Sequence, residues 1–209
     1  MSNQPAEYRL ADWLTDTKAW RPARSVAIGA LRRLGAMDQR AYDAVAGWSS
    51  PALDAPLREV SRFADFSKPW LLTAGILAVA GGPTGRRAAL TGVAAIAATS
   101  LMVNQPMKLA SNRARPDREE SGVPRGRWIR MPDSTSFPSG HSASAAAFAV
   151  AVGDISPGLR LPVGASAAAV AFSRVYTGVH YPGDVLVGAS VGAVVGRLSS
   201  KTVLRWAAR

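Results

Sequence analysis

The chain has 209 residues, enough for one domain with a hydrophobic core, and no polar linker divides its second half. Its 25 Lys and Arg against 14 Asp and Glu leave +11, a balance that suits nucleic acid, anionic lipid or a phosphorylated substrate and selects none of them. The absence of cysteine excludes disulfides, thiolate catalysis and Cys-based zinc sites, and a mean hydropathy of +0.05 is modest for a membrane protein, although the apolar residues are strongly segregated along the chain.

The opening MSNQPAEYRLADW has no basic region followed by an apolar stretch, so no cleavable secretory signal is expected and insertion would use internal segments. Residues 1–68 read as polar, amphipathic helices. Val26, Ile28, Leu31 and Leu34 recur at helical spacing among Arg24, Arg32 and Arg33, which suits a helix lying on an anionic membrane surface or one packed on the rest of the protein. Leu53, Leu57, Val60 and Phe63 mark a second helix, with Arg58, Glu59, Arg62 and Asp65 on its other faces. Residues 69–85 and 88–107 carry no charge, with Arg86 and Arg87 between them, and this predicts a helical hairpin through a bilayer, since a crossing helix needs about 20 apolar residues. Three shorter stretches rich in Ala, Gly and Ser follow at 141–153, 159–176 and 182–198. Gly188, Gly192 and Gly196 repeat along one face of the last, where small residues allow close helix approach. Between them, Asn112 to Pro138 is a charged, Pro- and Gly-containing loop. The expectation is an all-α membrane bundle of five spans (69–200), with a weaker sixth span hidden in 26–66 as the alternative, and a basic tail at 201–209.

Three polar clusters sit at the ends of the apolar segments, where a membrane protein can hold charge without stranding it in hydrocarbon. Lys108 closes one segment, and Arg115-Pro116 follows seven residues later, so the two cations can converge on one anion from a helix end and a loop. Basic residues flanking a membrane helix also serve as lipid anchors, so this pair alone is ambiguous. In Pro138-Ser139-Gly140-His141, Ser139 is a plausible N-cap, Gly140 allows close backbone approach, and free amides at the helix start favour an anion with His141 at its edge. In the third, Ser173-Arg174 precedes Gly178, His180, Pro182 and Asp184; Pro182 fits a first helical turn, which lets the Asp184 carboxylate reach back to the His180 ring and fix its tautomer. His141 and His180 are the chain's only two histidines, and both fall at the same predicted end of the bundle.

Taken together, Lys108 to Arg115-Pro116, Pro138 to His141, and Ser173-Arg174 to His180 and Asp184 resemble the three signatures of the type 2 phosphatidic acid phosphatase superfamily. That group includes lipid phosphate phosphatases, prenyl diphosphate phosphatases and vanadium-dependent haloperoxidases. The resemblance covers residues 69–200, and residues 1–68 take no function from it. It implies an all-α bundle and an enzyme that removes phosphate from a membrane lipid without a metal or other cofactor. It further implies His180 as nucleophile, Asp184 as its orienting carboxylate, His141 as proton donor to the leaving oxygen, and Lys108, Arg115, Arg174, Ser139 and Gly140 as the groups that hold the phosphoryl oxygens. The substrate class it implies is open: diacylglycerol phosphate, prenyl phosphate or diphosphate, or a polyprenyl-linked phosphoribose phosphate as in cell-wall arabinan synthesis. The partners expected are lipid substrate and bilayer, not nucleic acid, in a multi-pass protein of the cell membrane; a transporter or binding protein that uses the phosphate site without hydrolysis is the alternative.

Overall fold

The structure is a computed structural model that describes residues 21–48 and 50–207, and every regular element among them is helical. The chain divides into two compact units, residues 1–40 and 41–209. In the first, helix α1 (Arg21–Ala46) begins and covers the basic amphipathic stretch at Val26–Leu34 that the periodicity assigns to a helix; residues 1–20 of the expected N-terminal segment lie outside the described residues.

The second unit contains the last turn of α1, then α2 (Pro51–Phe63), α3 (Lys68–Ala80), α4 (Gly82–Met102), α5 (Gly140–Ile155), α6 (Arg160–Tyr176) and α7 (Pro182–Ala207). Helix α5 lies at the centre and packs against α4, α6 and α7. Its Phe148 is fully buried and stacks at 5.6 Å on Trp70 of α3; a Cβ on Gly92 of α4 would come within 2.6 Å of the Phe148 ring, so the glycine makes room for it. The α5–α7 contact is closer still. Side chains added at Gly188, Gly192 and Gly196 would meet the carbonyl oxygens of Ser139, Ala143 and Ala147 at 2.4, 2.0 and 2.4 Å, so the glycine face of α7 lies directly on the α5 backbone, as the four-residue repeat predicts.

Two regions depart from expectation. The hairpin turns at Gly81–Gly82, where Gly82 takes a φ of +60° that other residues rarely adopt, and not at Arg86-Arg87, which lie within the first turns of α4. More broadly, the expected spans at 69–85, 88–107, 141–153, 159–176 and 182–198 fall on α3, α4, α5, α6 and α7, but no described helix is long and apolar enough to cross a membrane. Helices α3 and α5 have 13 and 16 residues, short of the roughly 20 that a hydrocarbon core requires. Helices α4 and α7 have the length, at 21 and 26 residues, but Arg86 and Arg87 in one, and Arg197, Lys201 and Arg205 in the other, join abundant Gly, Ala and Ser to lower their hydropathy.

The loop at 112–138 is held down by Arg127, which is 1% exposed. Its Nε donates to Asp54 Oδ1 at 2.8 Å, its guanidinium lies 4.2 Å from the Tyr176 ring centre, and its remaining N–H groups donate to the carbonyls of Val45, Ala46 and Trp48. This anchor ties the loop to α2 and the end of α1, and so fixes the cations that the same loop carries.

Candidate active site

Each polar cluster is delivered by a helix end. After α4 a wider π-type turn, Val103–Met107, containing Pro106, leads into Lys108. Ser139 caps α5, its Oγ accepting from the Ser142 amide at 3.4 Å and pairing with Ser142 Oγ at 2.9 Å, so Gly140 and His141 open the helix as expected. The chain leaves α6 just after Arg174, turns at Gly178 (φ +71°) and enters α7 at Pro182. The Arg174 carbonyl accepts from the amides of both Val179 and His180, at 3.1 and 3.2 Å. That pair of bonds closes the turn and accounts for the five-residue spacing between Arg174 and His180. The Asp184 carbonyl in turn accepts from the Ser139 amide at 3.0 Å, which joins the second cluster to the third.

His180 and Asp184 are 2% and 0% exposed. One carboxylate oxygen of Asp184 accepts from Ser136 Oγ at 2.5 Å and from the Tyr181 amide at 2.9 Å, and the other from Arg113 Nη1 at 2.8 Å. The carboxylate is thereby locked, with Oδ2 lying 3.6 Å from His180 Nδ1. That separation is just beyond a hydrogen bond, and Nδ1 has no other partner, so Asp184 acts on the ring through its charge and becomes a hydrogen-bond acceptor after an approach of a few tenths of an ångström. The opposite ring nitrogen, Nε2, lies 3.2 Å from Arg115 Nη1. A guanidinium can only donate, so Nε2 presents a lone pair and the proton sits on Nδ1, facing Asp184. Burial pushes the His180 imidazole down to about 4, against the opposing pull of Asp184, and the ring is neutral at pH 7. A neutral imidazole with an unprotonated nitrogen beside an arginine is the state a nucleophile requires.

Two further cations, Lys108 and Arg174, lie near enough to Arg115 for their charges to interact. Arg115 also donates from Nη1 to the Val179 carbonyl at 2.7 Å and from Nε to the Ser134 carbonyl at 2.9 Å, while Ser134 Oγ bridges Arg115 Nη2 and Lys108 Nζ at 3.2 and 3.1 Å. Arg174 is 1% exposed and donates to Ser61 Oγ at 2.8 Å and the Ser61 carbonyl at 3.2 Å; its Nε has no partner among the described residues. Burial lowers the Lys108 ammonium below its ordinary range, and the charges of Arg115 and Arg174 lower it further. Burial likewise lowers Arg115, with Asp184 and Asp133 opposing. The cluster thus carries a surplus of positive charge that an anion would relieve.

His141 pairs with a second carboxylate. Its Nε2 lies 2.9 Å from Asp65 Oδ1, and this hydrogen bond is the main reason the Asp65 carboxyl sits below its ordinary range. His141, Gly140 and Lys108 together border a cavity of about 220 Å³. All eight residues singled out in the sequence therefore stand at one end of the second unit. Five participants carried no motif: Arg113, Ser134 and Ser136 in the loop, and Ser61 and Asp65 in the stretch from which the resemblance drew no function. Arg113 stacks at 4.3 Å on the Tyr181 ring, which directs it to Asp184.

The PAP2 superfamily model matches residues 89–207, a span that takes in every one of the three clusters. The chain belongs to the PAP2 superfamily. It is similar to the decaprenylphosphoryl-5-phosphoribose phosphatase of Mycobacterium tuberculosis, 35% identical over 148 residues, covering 71% of this chain and 79% of that protein. It also resembles the lipid A 1-phosphatase of Rhizobium johnstonii, 38% identical over 92 residues, or 42% of this chain and 36% of the relative. Among solved structures, the transmembrane PAP2-type phosphatidylglycerolphosphate phosphatase of Bacillus subtilis shares the fold with a TM-score of 0.65 and 24% identity, over 83% of this chain and 87% of that one. Aquifex aeolicus LpxE does so with a TM-score of 0.58 and 23% identity, over 77% and 92%. With these phosphatases as its relatives, the PAP2 chain is a phosphoric monoester hydrolase. In this PAP2 chain the charges of Arg115 and Arg174 act on the buried His180 imidazole, and Lys108 lies near both arginines.

Proposed function

We propose that the chain is a metal-independent lipid phosphate phosphatase that works through a phosphohistidine on His180. The observation that carries this reading is the His180 ring, buried and neutral, with Nδ1 toward Asp184 and the Nε2 lone pair beside Arg115. In the first step Nε2 attacks phosphorus and the ester P–O bond breaks. The leaving alkoxide takes a proton from His141, whose charged form burial disfavours and the Asp65 hydrogen bond favours, and the imidazolium that forms on His180 is balanced by Asp184. Lys108, Arg115 and Arg174, with Ser139 and the Gly140 amide, hold the equatorial oxygens as charge redistributes. In the second step a water attacks phosphorus, gives its proton to the now neutral His141, and the P–N bond breaks to release phosphate. The three fixed cations supply the charge that a metal supplies in other phosphatases.

A polyprenyl-linked sugar phosphate is the substrate class we favour, because the relative matched over most of both chains carries that activity in its name. A membrane location follows from the surface. Leu71, Leu72, Ile76 and Val79 of α3, Leu90 and Leu101 of α4, and Leu186, Val194 and Leu198 of α7 are all exposed, an apolar skin that is costly in water and suited to lipid. In this reading the helices pass through the bilayer as a packed group, which shields the arginines and small residues that deny any one of them sufficient hydropathy.

The test is phosphate release by purified, detergent-solubilised protein in EDTA, from phosphatidate, a prenyl diphosphate and a polyprenylphosphoryl-5-phosphoribose, with His180→Ala alongside. Release that survives EDTA and vanishes in the variant is expected, greatest with the sugar phosphate. Release that requires a divalent metal, or persists in His180→Ala, overturns the mechanism.

A further inference from the structure

The 220 Å³ cavity bordered by Lys108, Gly140 and His141 has further lining residues that the phosphate chemistry does not use. Its lining includes Ser67, Ser100 and Ser144 together with Phe66 and Trp70. Elsewhere in these helices, Ser166, Ser190 and Ser199 satisfy their hydroxyls on the carbonyl four residues back. Ser100 and Ser144 make no such bond and have no other protein partner among the described residues, although Ser144 is only 8% exposed. Their hydroxyls are therefore left to water or to a ligand. Trp70 is 3% exposed and fixed on Phe148, so it offers a rigid apolar wall.

The cavity also lies on the informative side of the reaction. In an in-line displacement the leaving group departs opposite the nucleophile. His141 borders this cavity and His180 does not, so the alcohol that takes the proton of His141 is directed into it. Its volume is below the roughly 300 Å³ at which pockets for whole small-molecule ligands begin, which allows a headgroup and not a chain. The chain would leave past Phe66, which is 87% exposed at the rim.

We propose that Ser67, Ser100 and Ser144 form the leaving-group subsite and select a phosphate carried on a hydroxylated ring over a phosphate carried directly on hydrocarbon. The proposal rests on the phosphatase reading and adds specificity to it. A prenyl phosphate would strand the three hydroxyls against methylene groups, whereas a sugar satisfies them and lays its C–H face on Trp70. Sites built to bind a substrate hydroxyl discriminate strongly against analogues that lack it.

The experiment compares kcat/KM on a prenylphosphoryl-5-phosphoribose and on a prenyl monophosphate of equal chain length, for the wild type, Ser100→Ala, Ser144→Ala and the double variant. Each substitution removes one oxygen and creates no bulk, and thermal melts verify the fold. The wild type should favour the sugar substrate. Each single variant should lose about 3- to 10-fold of that preference, the scale of one neutral hydrogen bond, and the double variant about 10- to 100-fold. Variants that lose equally on both substrates, or that keep the wild-type ratio, overturn the subsite while leaving the phosphatase reading standing. If neither substrate is hydrolysed in a His180-dependent way, the phosphatase reading fails, and the subsite falls with it.

Discussion

Replacing Asp184 by Asn tests how the carboxylate serves His180. Asp184 Oδ2 accepts from Ser136 and the Tyr181 amide, and Oδ1 accepts from Arg113. An asparagine has one oxygen to divide between these positions. The Tyr181 amide cannot move or change its role, whereas Arg113 is 32% exposed and can swing to water, so the asparagine oxygen should remain on the Oδ2 side and the His180 tautomer should survive. What is lost is charge. Attack on phosphorus makes the imidazole cationic, and at a separation of 3.6 Å a full charge pair is worth about 4 to 5 kcal/mol at an effective dielectric of about 20. At about 1.4 kcal/mol per decade this corresponds to a loss of about 10³ in kcat, with KM changed far less because the phosphate contacts come from other residues. The assay is initial-rate phosphate release in detergent micelles at saturating substrate, with a thermal melt to verify folding. A folded Asp184→Asn protein that keeps more than a tenth of the wild-type kcat would refute the electrostatic role assigned to Asp184.

The α5–α7 seam, the second histidine and the pH response give three further tests. Gly192→Ala drives a Cβ to within 2.0 Å of the Ala143 carbonyl, so the helices must part; we expect a loss of about 1 to 3 kcal/mol in a thermal or denaturant melt and reduced activity, while Gly164→Ala, with nothing within 4 Å, should be neutral. Equal stability of the two variants would mean that the seam is not closely packed. Asp65→Asn should slow hydrolysis of an alkyl phosphate about tenfold more than that of p-nitrophenyl phosphate, whose leaving group needs little protonation; equal slowing would show that Asp65 does not act through His141. Since the folded His180 titrates at about 4 and an unfolded one at about 6.5, stability is fully present above pH 6.5 and declines as pH falls from 6.5 toward 4, where only the unfolded ring takes up a proton. The acid limb of kcat/KM should accordingly lie well below 6.5, and a limb at 6.5 or above would contradict the buried, neutral ring.

Much of the site was legible because its groups stand at helix ends with strong local signals. Ser139 before an Ala-rich run and Pro182 after a turn mark two helix starts, and the Gly188, Gly192 and Gly196 repeat marks the face on which those helices meet. Arg113, Ser136, Asp65 and Ser61 were not legible, since they meet Asp184, His141 and Arg174 across separations of 71, 48, 76 and 113 residues and only the folded chain brings them together. Hydropathy misled in one respect. Uncharged runs suggested a hairpin broken at Arg86-Arg87, but a glycine pair provides the tighter turn, and arginines can begin a helix as readily as interrupt one.

The central claim is a covalent phosphoryl group on His180. The most direct measurement is mass spectrometry of the protein quenched in base during turnover of p-nitrophenyl phosphate, using His141→Ala to slow hydrolysis of the intermediate. We expect one phosphoryl group on the peptide that contains His180, absent when His180 is also replaced. Sustained turnover with no phosphoryl adduct at rapid quench, or an adduct on another residue, would contradict the account.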